Sequence, residues 1–389
     1  MSALDKLEFS VFNDNKFPKS KEIKGPSPYW DKKTEGPSYI KPEDRQKPLV
    51  SSGKLDKGYS TEEVELTPLL GSTYNVNVRL VDLLKDDDLI RDLAIKISQR
   101  GVVVFKKQDD LTVEQQKELV QKLGILSGKP KENGLHIHPL APSGGVVGEN
   151  GLVDPEISFI SSRFGNEYAK EQRDYPTAYN WHSDITFEPV PADYSSLRLV
   201  ELPPTGGDTF WANGYALYEK LSPSLRAYFE TLTGTYSQPR FNEFGKKKNF
   251  ELYSDKRGAA ENVGDELIST HPVVRTNPVT GWKSLFAIGN HFTKFNEVTP
   301  LESNLLKEYL WNTLAQSHDI QVRHKWDKYD IAIWDNRSTY HAINKDVLFY
   351  DDDLVRSGIR TVGIAERPYL DPNSTTQTEA LKEKKSEEK

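Results

Sequence analysis

Residues 179–187, which read YNWHSDITF, place two metal-binding residue types two positions apart, at His182 and Asp184. The aromatic and β-branched residues of this segment predict a β-strand. Side chains two apart on a strand point to the same face, so the imidazole and the carboxylate would enter one space. A second imidazole would complete a set of two histidines and one carboxylate, which holds non-haem Fe(II) and leaves positions open. The pair alone is weak evidence, because so short a pattern arises by chance.

A candidate third ligand follows a predicted buried strand in the second half of the chain. Residues 331–337 read IAIWDNR, and His341 comes just after them, where functional groups often lie. The chain has no cysteine and only eight histidines, so His, Asp and Glu are the only strong metal ligands that it offers. Lone histidines are more often structural, and we interpret His136 and His291 in that way. For His182, Asp184 and His341 together, a metal-binding and catalytic role is favoured.

Two arginines, Arg356 and Arg360, follow the third ligand candidate. They are four positions apart, so on a strand both guanidinium groups would share a face. Two buried cations side by side are unfavourable unless anions neutralise them. The planar guanidinium fork suits a carboxylate or a sulfonate. The alternative is a pair of surface ion pairs with the acidic run 351–353.

The elements that must position these residues are helices mixed with short strands. A helix over 83–100 is predicted to end at Gly101, and a capping box at Thr112 predicts a second helix that ends at Gly124. Ser222 and Thr299 mark two more helix starts. Short β-like runs occupy residues 102–105, 194–202, 284–288, 330–334 and 360–365. This mixture predicts an α+β, β-rich fold with helices packed outside the sheets.

Composition divides the chain into three regions. Residues 1–65 are rich in Lys, Pro, Ser and Gly and predict an extended N-terminal arm, whereas residues 66–370 form the predicted compact domain. Residues 371–389 predict a disordered charged tail, with a frayed helix near its end as the alternative.

The net charge of −7 is too modest for a dedicated nucleic-acid binder. No apolar run approaches the roughly 20 residues that span a bilayer, and without cysteine there is no disulfide framework. A cytoplasmic protein with no membrane or nucleic-acid partner is therefore expected.

Several motifs, taken in order, resemble the taurine dioxygenase family of Fe(II)/2-oxoglutarate-dependent oxygenases. They are LHIHP at 135–139, WHSDITF at 181–187, LPPTGGDTFW at 202–211 and WDNR at 334–337. Together with the third histidine and the arginines that follow it, they cover about residues 70–370. The resemblance implies a double-stranded β-helix, or jelly roll, as the catalytic core.

The resemblance also implies roles for individual residues. Fe(II) would bind to the set His182, Asp184 and His341, with 2-oxoglutarate and O2 as co-substrates. Arg356 would hold the distal carboxylate of 2-oxoglutarate, and Thr209 would add a hydroxyl hydrogen bond. His138 and Arg360 match positions that contact substrate, and Arg360 matches the one that grips a sulfonate. The implied reaction hydroxylates an alkyl sulfonate such as taurine and yields sulfite and an aldehyde, together with succinate and CO2.

Two departures from the family pattern leave alternatives open. An acidic insert at 347–353 lengthens the spacing between the third histidine and the arginines, so Arg356 and Arg360 both remain candidates for the co-substrate. Ala141 stands where the taurine enzymes of the family carry a tyrosine. The same chemistry on an aryloxyalkanoate, a sulfate ester or a carboxylate is one alternative, and a catalytically silent jelly-roll binding protein is another. The expected partner is a small anionic substrate, with a sulfonate favoured, and a homo-oligomer is compatible with the sequence.

Overall fold

The computed structural model describes residues 8–9, 38–141, 145–147, 153–162, 177–348 and 355–387. Most of the predicted arm and the centre of the acidic insert lie outside these ranges. In the described ranges, the helices all fall short of the length and apolar character that crossing a membrane requires.

The helices and strands alternate irregularly along the chain. The helices are α1 Lys54–Tyr59, α2 Leu80–Leu83, α3 Asp87–Arg100, α4 Val113–Leu126, α5 Gly214–Glu219, α6 Pro223–Phe229, α7 Pro239–Lys248, α8 Pro300–Gln316 and α9 Gln377–Glu387. The strands are β1 Glu8–Phe9, β2 Glu63–Glu65, β3 Ser72–Tyr74, β4 Val102–Phe105, β5 Val146–Val147, β6 Val153–Asp154, β7 Ser158–Ser161, β8 Ala192–Glu201, β9 Thr209–Asn213, β10 Thr233–Ser237, β11 Ile268–Pro272, β12 Val274–Thr276, β13 Lys283–Leu285, β14 Phe292–Phe295, β15 Gln321–His324, β16 Ile331–Asp335, β17 Thr339–Ile343 and β18 Ser357–Ile364.

Two sheets face each other across an apolar core. The larger sheet has the order β2-β3-β4-β16-β8-β18-β7, and the smaller has the order β15-β9-β17. Neighbouring strands of the larger sheet are antiparallel, except that β3 and β4 run parallel. Leu197 and Trp334 of the larger sheet pack in one cluster with Trp211 and Val322 of the smaller. Packing of antiparallel strands around one core is the jelly-roll arrangement that the motifs implied, and the α+β, β-rich prediction is confirmed.

Helices α3 and α4 cover the outer face of the larger sheet. The apolar residues Ile90, Leu93 and Ile97 of α3 recur at helical spacing and pack with Val103 of β4. The capping box at the start of α4 forms as predicted. That helix continues through Gly124 to Leu126, however, so the prediction that Gly124 ends it is wrong.

The close packing around Gly124 explains why it is a glycine. A Cβ atom at this position would lie 2.5 Å from the carboxylate of Asp193 and 2.6 Å from the side chain of Lys129. The residue is therefore a glycine to admit these two side chains, not to end a helix.

Gly101 joins α3 to β4 and adopts a left-handed φ of 73°. A Cβ atom there would lie 2.6 Å from a methyl group of Leu70. We expect Gly101→Ala to lower the free energy of unfolding by about 2–5 kcal/mol, because a left-handed Ala contributes about 1–2 kcal/mol and overpacking about 1–3 kcal/mol. Gly264→Ala is the control, since its φ is 81° but no atom lies within 4 Å of the added Cβ. Chemical denaturation measures both, and equal losses would contradict the role of Leu70.

The compact body begins before residue 66 and extends past residue 370. Leu55 of α1 is buried in the core of the helical layer, and β2 pairs with β3. Near the other end, Gln377 is buried and accepts a hydrogen bond from Asn213 at 2.9 Å. The prediction of a disordered tail over 371–389 is corrected here, because helix α9, capped by Thr376, occupies most of that range.

Candidate metal centre and ligand site

The strand predicted over 179–187 is not present. Residues Thr177–Asn180 form a single 3-10 turn, and His182 makes an isolated bridge to His341 through two backbone hydrogen bonds of 3.1 and 2.8 Å. The following residues turn, with Ile185 at a φ of 49°. A β-branched residue is strained in this left-handed region. This turn, and not the alternation of a strand, brings Asp184 beside His182.

His182, Asp184 and His341 converge as predicted. One ligand atom from each lies within 4.8 Å of the others, and His341 Nε2 lies 3.8 Å from Asp184 Oδ1. His182 Nδ1 lies 2.7 Å from the carbonyl oxygen of Asn180, so it donates there and leaves Nε2 free for a metal. His341 lies in the middle of β17, not after a strand, and its ring packs 4.8 Å from the ring of Trp334.

The protonation states of the three side chains suit a metal. Burial lowers the pKa of both His182 and His341 below the ordinary histidine value. Burial would raise the pKa of Asp184, but Arg360, the two histidines and the hydroxyl of Ser195 together outweigh burial and hold that pKa well below the usual range. Two neutral imidazoles and one ionised carboxylate are the forms that coordinate a divalent metal. The set therefore fits an iron ion.

Three buried side chains fix the orientation of the Asp184 carboxylate. Ser195 Oγ donates to Asp184 Oδ2 at 2.7 Å, and Asn336 Nδ2 donates to Ser195 Oγ at 2.8 Å. Asn336 Oδ1 in turn accepts from the backbone N–H of Asp184 and from the indole of Trp334. Because Asn336 donates to Ser195, the hydroxyl proton of Ser195 must point at Asp184. Oδ2 is thereby occupied, whereas Oδ1 lies 3.8 Å from His341 Nε2.

Removal of this hydroxyl should weaken metal binding. We expect Ser195→Ala to reduce Mn(II) affinity by about 10- to 100-fold, the usual effect of losing a hydrogen bond to a metal ligand. Ser196→Ala is the matched control, because Ser196 is the next residue of β8 and its hydroxyl bonds to Gln116 instead. Titration with Mn(II), followed by electron paramagnetic resonance, measures the affinity. An equal loss in both variants would show that Ser195 acts through strand packing alone.

Arg360 points at the candidate metal centre. Its Nη1 donates to Asp184 Oδ1 at 2.7 Å, and its side chain is 16% exposed. Its Nε is buried and has no hydrogen-bond partner among the described residues. A buried N–H without a partner is unfavourable. Arg360 therefore has an unused donor for an anion next to the triad.

Arg356 is buried against residues at the start of β9. Its Nε donates to the carbonyl oxygen of Gly207 at 2.7 Å, and its Nη2 donates to Thr209 Oγ1 at 3.0 Å. Within the described ranges no carboxylate forms an ion pair with it, and burial lowers its pKa to about 10. At neutral pH it is a buried cation that contacts no carboxylate among the described residues, and the charges of Asp208 and Asp346 act on it only from beyond ion-pair distance.

The Thr209 hydroxyl lies next to the guanidinium of Arg356. Its oxygen accepts hydrogen bonds from Arg356 and from the indole N–H of Trp326, the latter at 3.0 Å. With both lone pairs engaged, the hydroxyl proton is available to another acceptor. A Cβ atom at Gly207 would lie 2.9 Å from Arg356 Cδ, so this glycine allows the arginine side chain to approach.

The histidines of the LHIHP segment lie in different surroundings. His138 Nδ1 accepts from the backbone N–H of Leu140 at 3.1 Å, and the His138 ring lies 4.9 Å from the ring of Phe241 on α7. His136 is buried and contacts the carboxylate of Glu188 at 3.1 Å.

Sequence reasoning missed four residues of this region: Ser195, Phe241, Trp326 and Asn336. Asn336 carried a signal, since it belongs to the WDNR motif. The others are ordinary strand, helix and loop residues that only tertiary packing brings to the site.

Three comparisons place this geometry among known proteins. The family model "Taurine catabolism dioxygenase TauD, TfdA family" matches residues 63–351, which contain all three residues of the triad. The chain is 43% identical over 376 residues to alpha-ketoglutarate-dependent dioxygenase esdpJ of Penicillium shearii, covering 87% of this chain and 97% of that protein. It is 30% identical over 330 residues to the alpha-ketoglutarate-dependent sulfonate dioxygenase of Saccharomyces cerevisiae, covering 83% and 73%. A crystal structure of a taurine dioxygenase from Burkholderia xenovorans gives a TM-score of 0.61 at 27% identity, covering 81% and 92%.

Proposed function

This chain belongs to the TauD/TfdA family and is a 2-oxoglutarate-dependent dioxygenase, and from this premise we propose that it hydroxylates an alkyl sulfonate and releases sulfite. The cofactors of the family are Fe(II), 2-oxoglutarate and O2. When bound, the iron and its co-substrate supply the oxidation of a substrate C–H bond, with loss of succinate and CO2. The remaining tasks belong to the protein side chains.

The side chains divide these tasks between them. The iron is held by His182, Asp184 and His341, with Ser195 keeping Asp184 Oδ2 away from it. Arg356 and Thr209 receive the distal carboxylate of 2-oxoglutarate, which pairs with the buried guanidinium. Among the described residues Arg356 forms no ion pair, whereas Arg360 pairs with Asp184, and this difference supports the assignment of Arg356 over Arg360.

The observation that carries the choice of an anionic substrate is the position of Arg360. Its guanidinium adjoins the triad and retains a buried, unpartnered N–H. A sulfonate bound there would bring the carbon that carries sulfur close to the metal. The similarity to a yeast sulfonate dioxygenase supports this head group.

Hydroxylation of that carbon explains the release of sulfite. The product carries a hydroxyl group and a sulfonate on one carbon. Loss of the hydroxyl proton forms the C=O bond of an aldehyde, and the C–S bond breaks with its electron pair leaving on sulfite. No further oxidant is needed for this step. His138, whose pKa is lowered by burial, is assigned here to contact with the substrate.

The test is a substrate panel of sulfonates, sulfate esters and aryloxyacetates, incubated with purified protein, Fe(II), ascorbate and 2-oxoglutarate. We expect succinate and sulfite to form in equal amounts with an alkyl sulfonate. Succinate coupled to another compound, without sulfite, would keep the dioxygenase and replace the sulfonate as substrate.

A further inference from the structure

A continuous face of aromatic and imidazole rings leads from the triad to helix α7. Ring centroids are separated by 5.8 Å between His182 and His291 and by 5.3 Å between His291 and Phe187. The next steps are 5.8 Å from Phe187 to Phe241 and 4.9 Å from Phe241 to His138. All of these are contact distances for rings. One end of the face is thus a candidate metal ligand, and the other is the histidine matched to substrate binding.

Apolar packing fixes this face from behind. Phe241 belongs to α7 and is half-buried, and it packs with Leu252 against a cluster that includes Phe187, Ile185 and Val362. Ile185 is the strained residue of the turn that carries Asp184. The same cluster therefore supports both the metal-binding turn and the ring face.

Phe187 and Phe241 of the face have no titratable group, and burial lowers the pKa of the His138 imidazole at its far end well below the ordinary value. Phe187 and His291 are buried, so the half-buried rings of His138 and Phe241 supply the apolar and weakly polar surface of this face, with Arg360 as the cation at its metal end.

The acidic groups beside the face already have partners. Glu188 accepts two hydrogen bonds from Arg257, at 2.6 and 2.9 Å, and contacts His136 at 3.1 Å. The carboxylate that acts on His138 is Asp184, which is held by Ser195 and belongs to the triad. Among the described residues next to these rings, neither acid is free to receive a substrate ammonium group.

We propose that the ring face binds an uncharged hydrocarbon tail, so that the enzyme prefers simple organic anions over zwitterions such as taurine. This inference rests on the proposed function, because Arg360 must hold the anionic head at the metal. An ammonium group against neutral rings would lose water without gaining a partner. Each buried methylene should instead improve binding by roughly fourfold.

The decisive comparison uses two sulfonates of equal length, butane-1-sulfonate and 3-aminopropane-1-sulfonate. They differ only in whether the far end is a methyl or an ammonium group. Calorimetry with enzyme loaded with Mn(II) and 2-oxoglutarate measures binding directly, without turnover. We expect the butane compound to bind at least about 10-fold more tightly. Equal binding, or tighter binding of the amine, overturns the inference.

The same pair of tails on other head groups separates this inference from the proposed function. Pentanoate is compared with 4-aminobutanoate, and butyl sulfate with 3-aminopropyl sulfate. A preference for the hydrocarbon tail on these heads, without binding of either sulfonate, would refute the sulfonate and retain the tail site. Release of sulfite from 3-aminopropane-1-sulfonate in preference to butane-1-sulfonate would retain the sulfonate as substrate and refute the tail site. Failure of every pair to bind overturns the tail site.

Two substitutions at Phe241 locate the effect. Phe241→Glu adds a carboxylate to the face and should shift the preference toward the amine by about 10-fold or more. Gln matches Glu in size but carries no charge, so Phe241→Gln should weaken the binding of both compounds without favouring the amine. Equal shifts in the two variants would show that the tail does not contact Phe241. Thermal unfolding checks that both variants are folded, and the wild-type comparison stands without them.

Discussion

Replacement of His341 by alanine should abolish turnover and reduce Mn(II) affinity by at least about 100-fold. Loss of a hydrogen bond to a metal ligand already reduces affinity by about 10- to 100-fold, so loss of a ligand should exceed that. His341 Nε2 lies 3.8 Å from Asp184 Oδ1, and its backbone pairs with His182. The substitution keeps those backbone hydrogen bonds and removes only the imidazole. Mn(II) binding and succinate formation are the two measurements.

His318→Ala is the matched control for this prediction. His318 is exposed in a short 3-10 turn, so the same change there should alter neither metal affinity nor turnover. Unfolding measured without metal shows whether the His341 variant remains folded. Unchanged Mn(II) affinity in a folded His341→Ala protein would exclude His341 as a ligand and would leave His182 and Asp184 without a third partner.

Replacement of Arg356 by methionine should raise the KM for 2-oxoglutarate by about 30-fold or more. Truncating one partner of a buried charge pair costs about 2–5 kcal/mol, and every 1.4 kcal/mol is tenfold in affinity. The guanidinium is buried, contacts Gly207 and Thr209, and forms no ion pair within the described part of the chain. Initial rates of succinate formation at varied 2-oxoglutarate concentration give the KM.

Arg356→Met should weaken the binding of 2-oxoglutarate but should not lower the stability of the ligand-free protein. Without ligand, the variant should be at least as stable as the wild type, because it no longer buries an uncompensated cation. Addition of 2-oxoglutarate with Mn(II) should raise the melting temperature of the wild type and not that of the variant. A nonspecific packing defect would instead lower the stability of the variant with and without ligand.

Arg360→Met provides the comparison that assigns the two arginines. It should raise the KM for the organic substrate and leave the KM for 2-oxoglutarate near the wild-type value, since Arg360 contacts Asp184 and not Thr209. The reverse pattern, with 2-oxoglutarate binding lost in Arg360→Met and kept in Arg356→Met, would exchange the two roles.

Features that depend on residue type and local spacing could be predicted from the sequence. The absence of cysteine limited the metal ligands to His, Asp and Glu, and ordered motifs selected His182, Asp184 and His341 from many candidates. A capping box at Thr112 and an N-cap at Thr299 predicted the starts of α4 and α8 correctly, because a cap is a contact between residues three apart. The jelly-roll core followed from the motifs.

The relative positions of the site residues depend on tertiary packing and could not be predicted. A strained turn places Asp184 beside His182, and it is stabilised because Ile185 packs against residues that are distant in sequence. Local propensity favours a strand at that position instead. Gly124 looks like a helix end in sequence, but the approach of Asp193 and Lys129 determines its role. Three further contacts join residues that are distant in the chain. They are the hydrogen bonds of Ser195, the hydrogen bonds of Arg356 and the ring contact of Phe241. Such contacts leave no periodic pattern in the sequence, because each depends on packing that forms only when the sheets and helices assemble.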